Sequence, residues 1–381
     1  MIDFSFTEWI VTGCLLLFFT VQVLFYILLY RLPYVYEKKR KEKPVSDDIF
    51  PPVSIIIVSK NDGDELERNL PFILEQDYPN FEVIVVNSRS TDETDIVLKA
   101  TELKYNNFYH TYVPKSSETV HERKLALTLG IKAAKNDILL FTEAYCRPCS
   151  SQWIKEFASV FNSGKDVVLG YCKLLVDKKA AFRGFIRYDN LIHYLKFLSM
   201  TIAHKPFMGI GWNMAYRKEL FVNQKGFSPI LNVSEGEDNL FINTIANEKN
   251  TEVVISPESM TETSIVNRLS VWRAMKSKYL HTRQFYKNSS WRILSWETFS
   301  KYAFYAALTC AITLGVVYSN YILLGFATLL FIIRFGIQLS VVNKNARLFD
   351  AGRFYFSLPF LDFWQPISNF RFRRKQKIRR I

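Results

Sequence analysis

The chain has 381 residues, of which 49% are hydrophobic and 15% aromatic, and its formal net charge is +13. It is therefore too apolar to be intrinsically disordered, and its five cysteines are too few for a disulfide-stabilised scaffold. Residues 31–43 carry a net charge of +4 and residues 371–381 a net charge of +7, which leaves about +2 for the rest of the chain. Charge confined to two short segments does not indicate a nucleic-acid-binding protein.

An apolar segment near the amino terminus predicts a transmembrane helix. Residues 9–30 are 22 consecutive uncharged positions, long enough to cross a hydrocarbon core of about 30 Å. Asp3 and Glu8 precede this segment and basic residues follow it, which is the reverse of a signal peptide. The positive-inside rule therefore places residues 1–8 outside the cytoplasm and residues 31–50, a basic linker, in the cytosol.

Residues 51–292 have the pattern of a single α/β domain. Apolar, β-branched runs alternate with segments of helical spacing, which predicts a doubly wound, mostly parallel sheet. Ligands of such sheets bind at the carboxyl ends of the strands, so residues that follow a strand are candidates for a site. The predicted strands are residues 53–58, 81–87, 108–113 and 137–142, and the predicted helices are residues 64–76, 94–103 and 121–134.

Two further membrane helices are predicted after this domain. Residues 302–333 are 32 uncharged positions, which as one helix would be roughly 48 Å long and would overrun a bilayer. Ser319 and Asn320 offer a turn, so we predict a helical hairpin of residues 298–318 and 321–342. Arg334 would lie inside the second helix, where it faces protein or snorkels toward the interface.

The carboxyl-terminal segment is predicted to stay on the cytosolic side. Residues 353–370 are aromatic and apolar but contain Asp362 and two prolines. A spanning helix here would export the basic tail, residues 371–381, against the positive-inside rule. We therefore interpret residues 353–370 as interfacial or re-entrant, and the chain as a multi-pass protein of the inner (cytoplasmic) membrane with its α/β domain in the cytosol.

A resemblance to a known family rests on four runs of sequence. These are PPVSIIIVSKNDGDELERNLPFILEQDYPNFEVIVVNSRSTDET, RKLALTLGIKAAKNDILLFTEAYCRP, GIGWNMAYRKELF and GEDNLFIN. In this order and spacing they resemble family 2 glycosyltransferases of the GT-A fold, in the branch with membrane helices at both ends. The resemblance covers most of the chain. It implies transfer of a sugar from a nucleotide-sugar donor to an acceptor hydroxyl, usually with inversion.

The resemblance implies a donor site at the ends of the first two strands. The family usually carries an acidic pair or an Asn-Asp pair at the end of the second strand, where this chain has Asn87 and Ser88. Asn87 can still hydrogen-bond a base edge, but the carboxylate is missing. The residues that the resemblance assigns to the donor or its nucleotide are Val58, Ser59, Asn61, Asn87, Ser88, Lys124 and Glu143.

The metal motif of the family is altered in this chain. Family members carry an Asp-x-Asp triplet after the fourth strand, and its last Asp ligates Mg²⁺ or Mn²⁺ beside the diphosphate. Glu143 and Tyr145 stand at the two acidic positions, within the run TEAYC. A carboxylate suits a hard cation, whereas a neutral phenol is a poor ligand. The sequence thus leaves the use of Mg²⁺ or Mn²⁺ open, and Arg123 and Lys124 could offset part of the lost charge compensation.

The resemblance also implies an acceptor side. The run of residues 235–238, Glu-Gly-Glu-Asp, matches the family's acidic acceptor motif, and Asp238 is the predicted general base. Trp212, Asn213 and Glu237 are predicted to bind the acceptor, with Trp212 as a surface on which a sugar can stack.

A helical segment before the membrane hairpin is the last family element. Trp272, Lys276 and Lys278 are predicted to contact a phosphate or lipid, although they fit the family's Gln-x-x-Arg-Trp pattern loosely. Processive polymer synthesis is therefore not indicated. The alternative is a basic interfacial helix that binds anionic lipid.

These observations predict a membrane-bound, inverting and non-processive glycosyltransferase with its catalytic domain in the cytosol. The favoured donor is a UDP-sugar, and the acceptor is a lipid-linked or growing glycan of a cell envelope polysaccharide. The alternative is a catalytically degenerate member that serves as the partner of another transferase. Departures at Ser88 and Tyr145 favour this alternative, whereas Glu143 and Asp238 argue against it.

Overall fold

The computed structural model describes residues 5–42, 50–114, 121–266, 268–287 and 290–378. Helix α1 (Phe6–Leu24), a π-helical turn (Phe25–Tyr30) and helix α2 (Leu32–Lys41) follow one another in a segment of 36 residues. A helical segment therefore covers the predicted membrane span, and it is longer than expected. Its continuation makes the predicted linker helical as far as Lys41, while residues 43–49 of that linker lie outside the described residues.

The described residues form ten strands in two sheets. These are β1 (Val53–Ser59), β2 (Phe81–Asn87), β3 (Phe108–Tyr112), β4 (Ile138–Phe141), β5 (Cys146–Pro148), β6 (Val167–Leu169), β7 (Cys172–Leu174), β8 (Met214–Arg217), β9 (Thr251–Val253) and β10 (Thr261–Thr263). The central sheet has the order β3-β2-β1-β4-β8-β6-β9, and only β8 runs antiparallel to its neighbours. The predicted mostly parallel sheet is confirmed.

Helices cover both faces of the central sheet because its strands are apolar on both sides. Every residue of β1 is buried. Ile56 and Val58 belong to the apolar core on one face, and Ile55 and Ile57 to the core on the other. The helices of the domain are α3 (Gly63–Leu74), α4 (Thr94–Lys104), α5 (Glu122–Ala133), α6 (Trp153–Phe161), α7 (Arg183–Ile202), α8 (Lys218–Asn223), α9 (Asn239–Ile245) and α10 (Leu269–Thr282).

A second sheet of three strands, in the order β5-β10-β7, is absent from the sequence-based prediction. Its strands have three residues each, too few for an alternating pattern to be recognised. Thr263 of β10 pairs with Cys146 of β5, the residue that directly follows Tyr145. This small sheet therefore fixes the backbone on which Tyr145 stands.

The predicted membrane hairpin is formed by α11 (Ser290–Val317) and α12 (Tyr321–Leu348). Both helices, and the segment Phe6–Lys41, are long and apolar enough to cross a membrane. Asn320 caps α12 by accepting a hydrogen bond from the amide of Leu323, 3.1 Å away, and it donates to Glu8 in the first turn of α1. The predicted interfacial segment is a helix, α13 (Leu358–Ile378), that packs against α10 and α7.

Buried ion pairs join these helices to one another. Arg334 Nη2 of α12 lies 2.9 Å from Asp362 Oδ2 of α13, and Lys301 Nζ of α11 lies 2.7 Å from the other oxygen of the same carboxylate. Arg334 also donates to the side-chain oxygen of Gln22 on α1, 2.9 Å away. Arg334 thus faces protein, which is one of the two orientations that the sequence left open.

Removal of one partner from this buried cluster should destabilise the chain strongly. Arg334→Met leaves Asp362 with one cation fewer, and loss of a buried partner costs about 3–5 kcal/mol. The exposed pair of Arg68 and Glu65 supplies the control, because Arg68→Met should cost at most about 1 kcal/mol. Thermal unfolding in detergent measures both changes; equal midpoints for the two variants would contradict this assignment.

Candidate active site

A cavity of about 520 Å³ opens at the carboxyl end of the central sheet. Glu143 reaches it from the loop after β4, Arg123 from the first turn of α5, and Asp238 from the residue that precedes α9. The sequence-predicted residues that the structure brings together here are Arg123, Glu143, Tyr145, Trp212, Glu237, Asp238 and Lys278.

Asp238 is a half-buried carboxylate held by three hydrogen bonds. Its Oδ2 accepts from the amide of Gly211, 3.1 Å away, and from the hydroxyl of Tyr279, 2.9 Å away, while its Oδ1 accepts from the amide of Asn239. Burial, together with the charge of Glu237, raises the pKa of Asp238, and the hydrogen bonds oppose that rise. A fixed carboxylate with a raised pKa is suited to accept a proton.

Arg123 lies between two carboxylates in the same cavity. It is ion-paired with Glu143, and its Nε lies 2.6 Å from Glu237 Oε1. The side chain of Arg123 is 41% exposed, whereas that of Glu143 is 5% exposed. Burial raises the pKa of Glu143 to about 7, although Arg123 lowers it. The ion pair therefore joins the loop after β4 to the loop that carries Asp238.

The side chains of Tyr145 and Trp212 contact each other. The indole nitrogen of Trp212 donates to the hydroxyl of Tyr145 over 3.1 Å, and the two rings stand edge to face at an interplanar angle of 89°. Trp212 is only 5% exposed. Little of its ring is thus open for the sugar stacking that the sequence suggested.

The ends of β1 and β2 are tied together by side chains. The hydroxyl of Ser59 donates to Asp62, the amide oxygen of Asn61 accepts from the backbone of Thr91 at 2.8 Å, and that of Asn87 accepts from the backbone of Ser90 at 2.9 Å. None of these side chains lines the cavity around Asp238, so the nucleotide pocket at these strand ends stays a prediction. Val58 lies buried at the end of the same strand.

Two carboxylates beside this pocket escaped the sequence-based prediction. The hydroxyl of Ser88 donates to Glu122 over 2.8 Å, so a carboxylate from α5 stands next to the position where the family's acidic residue is missing. Burial raises the pKa of Asp62, which follows β1 by three residues. The signal for Asp62 was its place just after a strand, whereas Glu122 required the tertiary structure.

Two of the predicted site residues hydrogen-bond the backbone of the domain and do not line the cavity. Lys124 is buried and donates to the backbone oxygens of Ile230, 2.9 Å away, and Val233. Asn213 is buried and donates to the backbone oxygens of Tyr171 and Ser259, both 2.9 Å away. Lys124 therefore supports the loop that leads to Asp238, and neither side chain is among those that line the cavity.

Of the three residues on α10 that the sequence predicted to contact a phosphate or lipid, two are also buried in the scaffold. Trp272 donates to Asp189 over 2.7 Å, and Lys276 is ion-paired with the same carboxylate. Both side chains are buried, which leaves Lys278 as the one of the three that lines the cavity. The sequence could not reveal this arrangement because Asp189 lies more than 80 residues away on α7.

Comparison with known proteins identifies a family whose model matches part of this chain. Residues 54–223 match the family model described as glycosyl transferase family 2. The matched residues lie within the α/β domain and make up less than half of the chain. The resemblance found in the sequence is confirmed by this match, and with it the expectation of a glycosyltransferase enzyme. A search of curated proteins found no match.

Solved structures show the same fold. The mannosyltransferase PcManGT from Pyrobaculum calidifontis, in complex with GDP-Man and Mn²⁺, is 18% identical over 90% of this chain and 97% of that one, with a TM-score of 0.56. Residues 1–349 of TarS from S. aureus are 17% identical over 85% of this chain and 89% of that one, with a TM-score of 0.42. At these identities the likeness to PcManGT establishes the fold alone.

The residues present do not form the metal site that the family implies. Among the described residues, no group of three or more His, Cys, Asp or Glu side chains is arranged to hold a metal ion. Glu143 is ion-paired with Arg123, and the hydroxyl of Tyr145 accepts the indole N–H of Trp212. A divalent cation would find one engaged carboxylate and one neutral phenol, which is a poor donor set.

Tyr279 should tune the proton affinity of Asp238. Tyr279→Phe removes a hydrogen bond that favours the charged carboxylate, so the pKa of Asp238 should rise further. If Asp238 must be ionised for activity, the acid limb of the kcat/KM profile should move to higher pH. Profiles measured with a nucleotide-sugar donor test this; an unmoved or oppositely moved limb would contradict it.

Proposed function

We propose that the chain is a membrane-bound glycosyltransferase that transfers a sugar from a nucleotide-sugar donor to an acceptor hydroxyl. The observation that carries the proposal is the half-buried, hydrogen-bonded Asp238 in a cavity at the carboxyl end of the sheet, beside Arg123. In doubly wound sheets this edge is where ligands bind.

The donor would lie across the ends of β1 and β2. Asn61 and Asn87 offer amide groups to the base and ribose, and Arg123 places a permanent positive charge beside the cavity where the diphosphate would lie. A UDP-sugar is the first choice of donor. Because PcManGT is in complex with GDP-Man, a GDP-sugar is the second.

Asp238 would remove the acceptor proton as the acceptor oxygen attacks the anomeric carbon. Its two oxygens are fixed by backbone amides and by Tyr279, so the carboxylate is held in place before the acceptor arrives. A single displacement with one general base inverts the anomeric configuration. The family signature for processive synthesis is altered on α10, which supports transfer of one sugar at a time.

A second cavity supports a lipid-linked acceptor. It measures about 610 Å³, lies between α7, α10, α11 and α13, and shares Tyr279 with the first cavity. Apolar side chains such as Trp291 and Leu294 line it together with Lys196 and Arg283. Lys196 is paired with Glu297, whereas Arg283 has no carboxylate partner among the residues that the structure describes. An apolar chain that bears a phosphate fits this combination.

The charge distribution supports a membrane placement. Three described helices are long and apolar enough to cross a bilayer, and the basic segments 31–43 and 371–381 flank them. We place the enzyme in the inner membrane with its catalytic domain in the cytosol, where nucleotide sugars are made. The acceptor would be a lipid-linked or growing glycan of a cell envelope polysaccharide.

The alternative is a degenerate partner of another transferase. It rests on Ser88 and Tyr145, which replace family carboxylates. Two contacts favour an active enzyme instead: Glu122 stands within 2.8 Å of the Ser88 hydroxyl, and Arg123 stands beside Glu143. Both put charged groups next to the altered positions.

Asp238→Asn should lower transfer by about 10²–10⁴-fold, because the amide keeps the shape but cannot take the acceptor proton. Detergent-purified full chain, UDP- and GDP-sugars and a membrane lipid extract as acceptor provide the assay. Asp95→Asn, at an exposed carboxylate on α4, is the control and should leave transfer unchanged. Wild-type transfer that survives Asp238→Asn intact would refute the base assignment, and absence of transfer and donor binding in wild type would favour the degenerate partner.

Arg283→Gln should raise the KM for a polyprenyl phosphate about tenfold, the value of one charge-assisted hydrogen bond. Activity should not change for a water-soluble glycan acceptor, since that acceptor does not need the second cavity. Arg68→Gln, at an exposed arginine on α3, is the matched control. An unchanged KM for the polyprenyl phosphate would contradict the lipid-binding role of the second cavity.

A further inference from the structure

We propose that this enzyme transfers its sugar without a divalent metal, and that the Arg123 guanidinium takes over the charge neutralisation of the leaving diphosphate. The inference rests on the proposed glycosyltransferase function and specifies how its donor site works. It goes against the metal use that the family's Asp-x-Asp motif implies.

The side chains at the motif positions are already engaged. The Glu143 carboxylate is paired with Arg123 and is 5% exposed. The Tyr145 hydroxyl accepts the N–H of Trp212 over 3.1 Å. A phenol that is already hydrogen-bonded in this way does not replace an aspartate as a ligand.

The neighbouring acceptor-side carboxylates do not complete a metal site either. Glu237 Oε1 lies 2.6 Å from Arg123 Nε, and both oxygens of Asp238 accept hydrogen bonds from N–H or O–H donors. To bind a metal ion, these oxygens would have to give up their N–H or O–H donors and coordinate the cation instead. The cavity thus already contains a cation at the point where its carboxylates meet.

Arg123 has the geometry to bind a diphosphate. A guanidinium carries five N–H donors, and the ion pairs with Glu143 and Glu237 engage its Nη2 and Nε. The remaining donors belong to a side chain that is 41% exposed and lines the cavity. The planar fork of Arg matches two phosphate oxygens at once, and its charge does not depend on pH in the working range.

Glu143 and Glu237 position this cation. Both carboxylates are more buried than Arg123, at 5% and 15% exposure. They therefore contact the guanidinium from the protein side and leave the rest of it exposed to the cavity. A diphosphate, with two phosphates and up to three negative charges, competes for the guanidinium better than a monophosphate does.

The transfer step then balances without a metal. The bond between the anomeric carbon and the diphosphate oxygen breaks, and its electron pair stays on the diphosphate. The acceptor oxygen forms the new bond to the anomeric carbon, and its proton passes to Asp238. The N–H groups of Arg123 hydrogen-bond the diphosphate oxygens as their negative charge grows.

The first test compares metal dependence. Transfer by detergent-purified full chain is measured with UDP- and GDP-sugars after treatment with EDTA, and again with added Mn²⁺ or Mg²⁺. We expect activity to persist in EDTA and to change less than about twofold on metal addition. Loss of transfer in EDTA with recovery in Mn²⁺ would overturn the inference and leave the proposed function intact. Absence of transfer under every condition would instead refute the proposed function.

The second test asks whether Arg123 binds the diphosphate. Calorimetric titration with UDP and UMP, and with GDP and GMP, gives the preference for the second phosphate in the absence of metal. Arg123→Gln should abolish most of that preference and lower transfer about 10²–10³-fold. Arg123→Lys should restore part of both, because the charge returns without the fork.

Arg68→Gln is the matched control for an exposed arginine on the same domain, and it should leave both quantities unchanged. Loss of a purely structural ion pair would weaken UDP and UMP equally, so an unchanged preference in Arg123→Gln would overturn the inference. Thermal unfolding midpoints are measured for Arg123→Gln and for a second variant, Glu143→Gln. A lowered midpoint indicates misfolding, and an unchanged midpoint indicates loss of the diphosphate contact alone.

Discussion

The pairing of Arg123 with Glu143 and Glu237 is the constraint on which the cavity depends. Glu143 belongs to the loop after β4, Glu237 to the loop before α9, and Arg123 to the start of α5. One guanidinium therefore joins three segments that are distant in sequence. Buried carboxylates require a partner, and this partner fixes the loop that carries Asp238 while keeping a positive charge at the open side of the cavity.

The same principle, a buried charge that must be paired, organises the membrane-proximal part. Asp189 on α7 takes up Trp272 and Lys276 from α10, and Asp362 on α13 takes up Lys301 and Arg334 from the apolar hairpin. These contacts connect α10, which supplies Tyr279 to the cavity, with the helices that can enter a bilayer. The position of the site relative to these apolar helices thus rests on a few ion pairs as well as on apolar packing.

Sequence reasoning succeeded where the signal was local. The strands β1 and β2 are continuous apolar runs, and their predicted bounds agree with the structure to within one residue. The turn at Ser319 was also found, but α11 begins eight residues earlier and α12 ends six residues later than predicted. Sequence reasoning did not find the second sheet, whose strands are too short to show a period. It also did not reveal that Lys278 lines the cavity while Lys276 is buried, because only the fold brings Asp189 next to Lys276. Both misses depend on contacts between residues far apart in the chain.

The most direct measurement is a structure of the full chain bound to the nucleoside diphosphate for which it has affinity, determined in the presence of Mn²⁺. We expect the diphosphate to accept hydrogen bonds from the Arg123 guanidinium and the anomeric side of the nucleotide to face Asp238, with no Mn²⁺ on Glu143. A Mn²⁺ ion ligated by Glu143 and bridging to the diphosphate, with Arg123 turned away, would contradict this expectation.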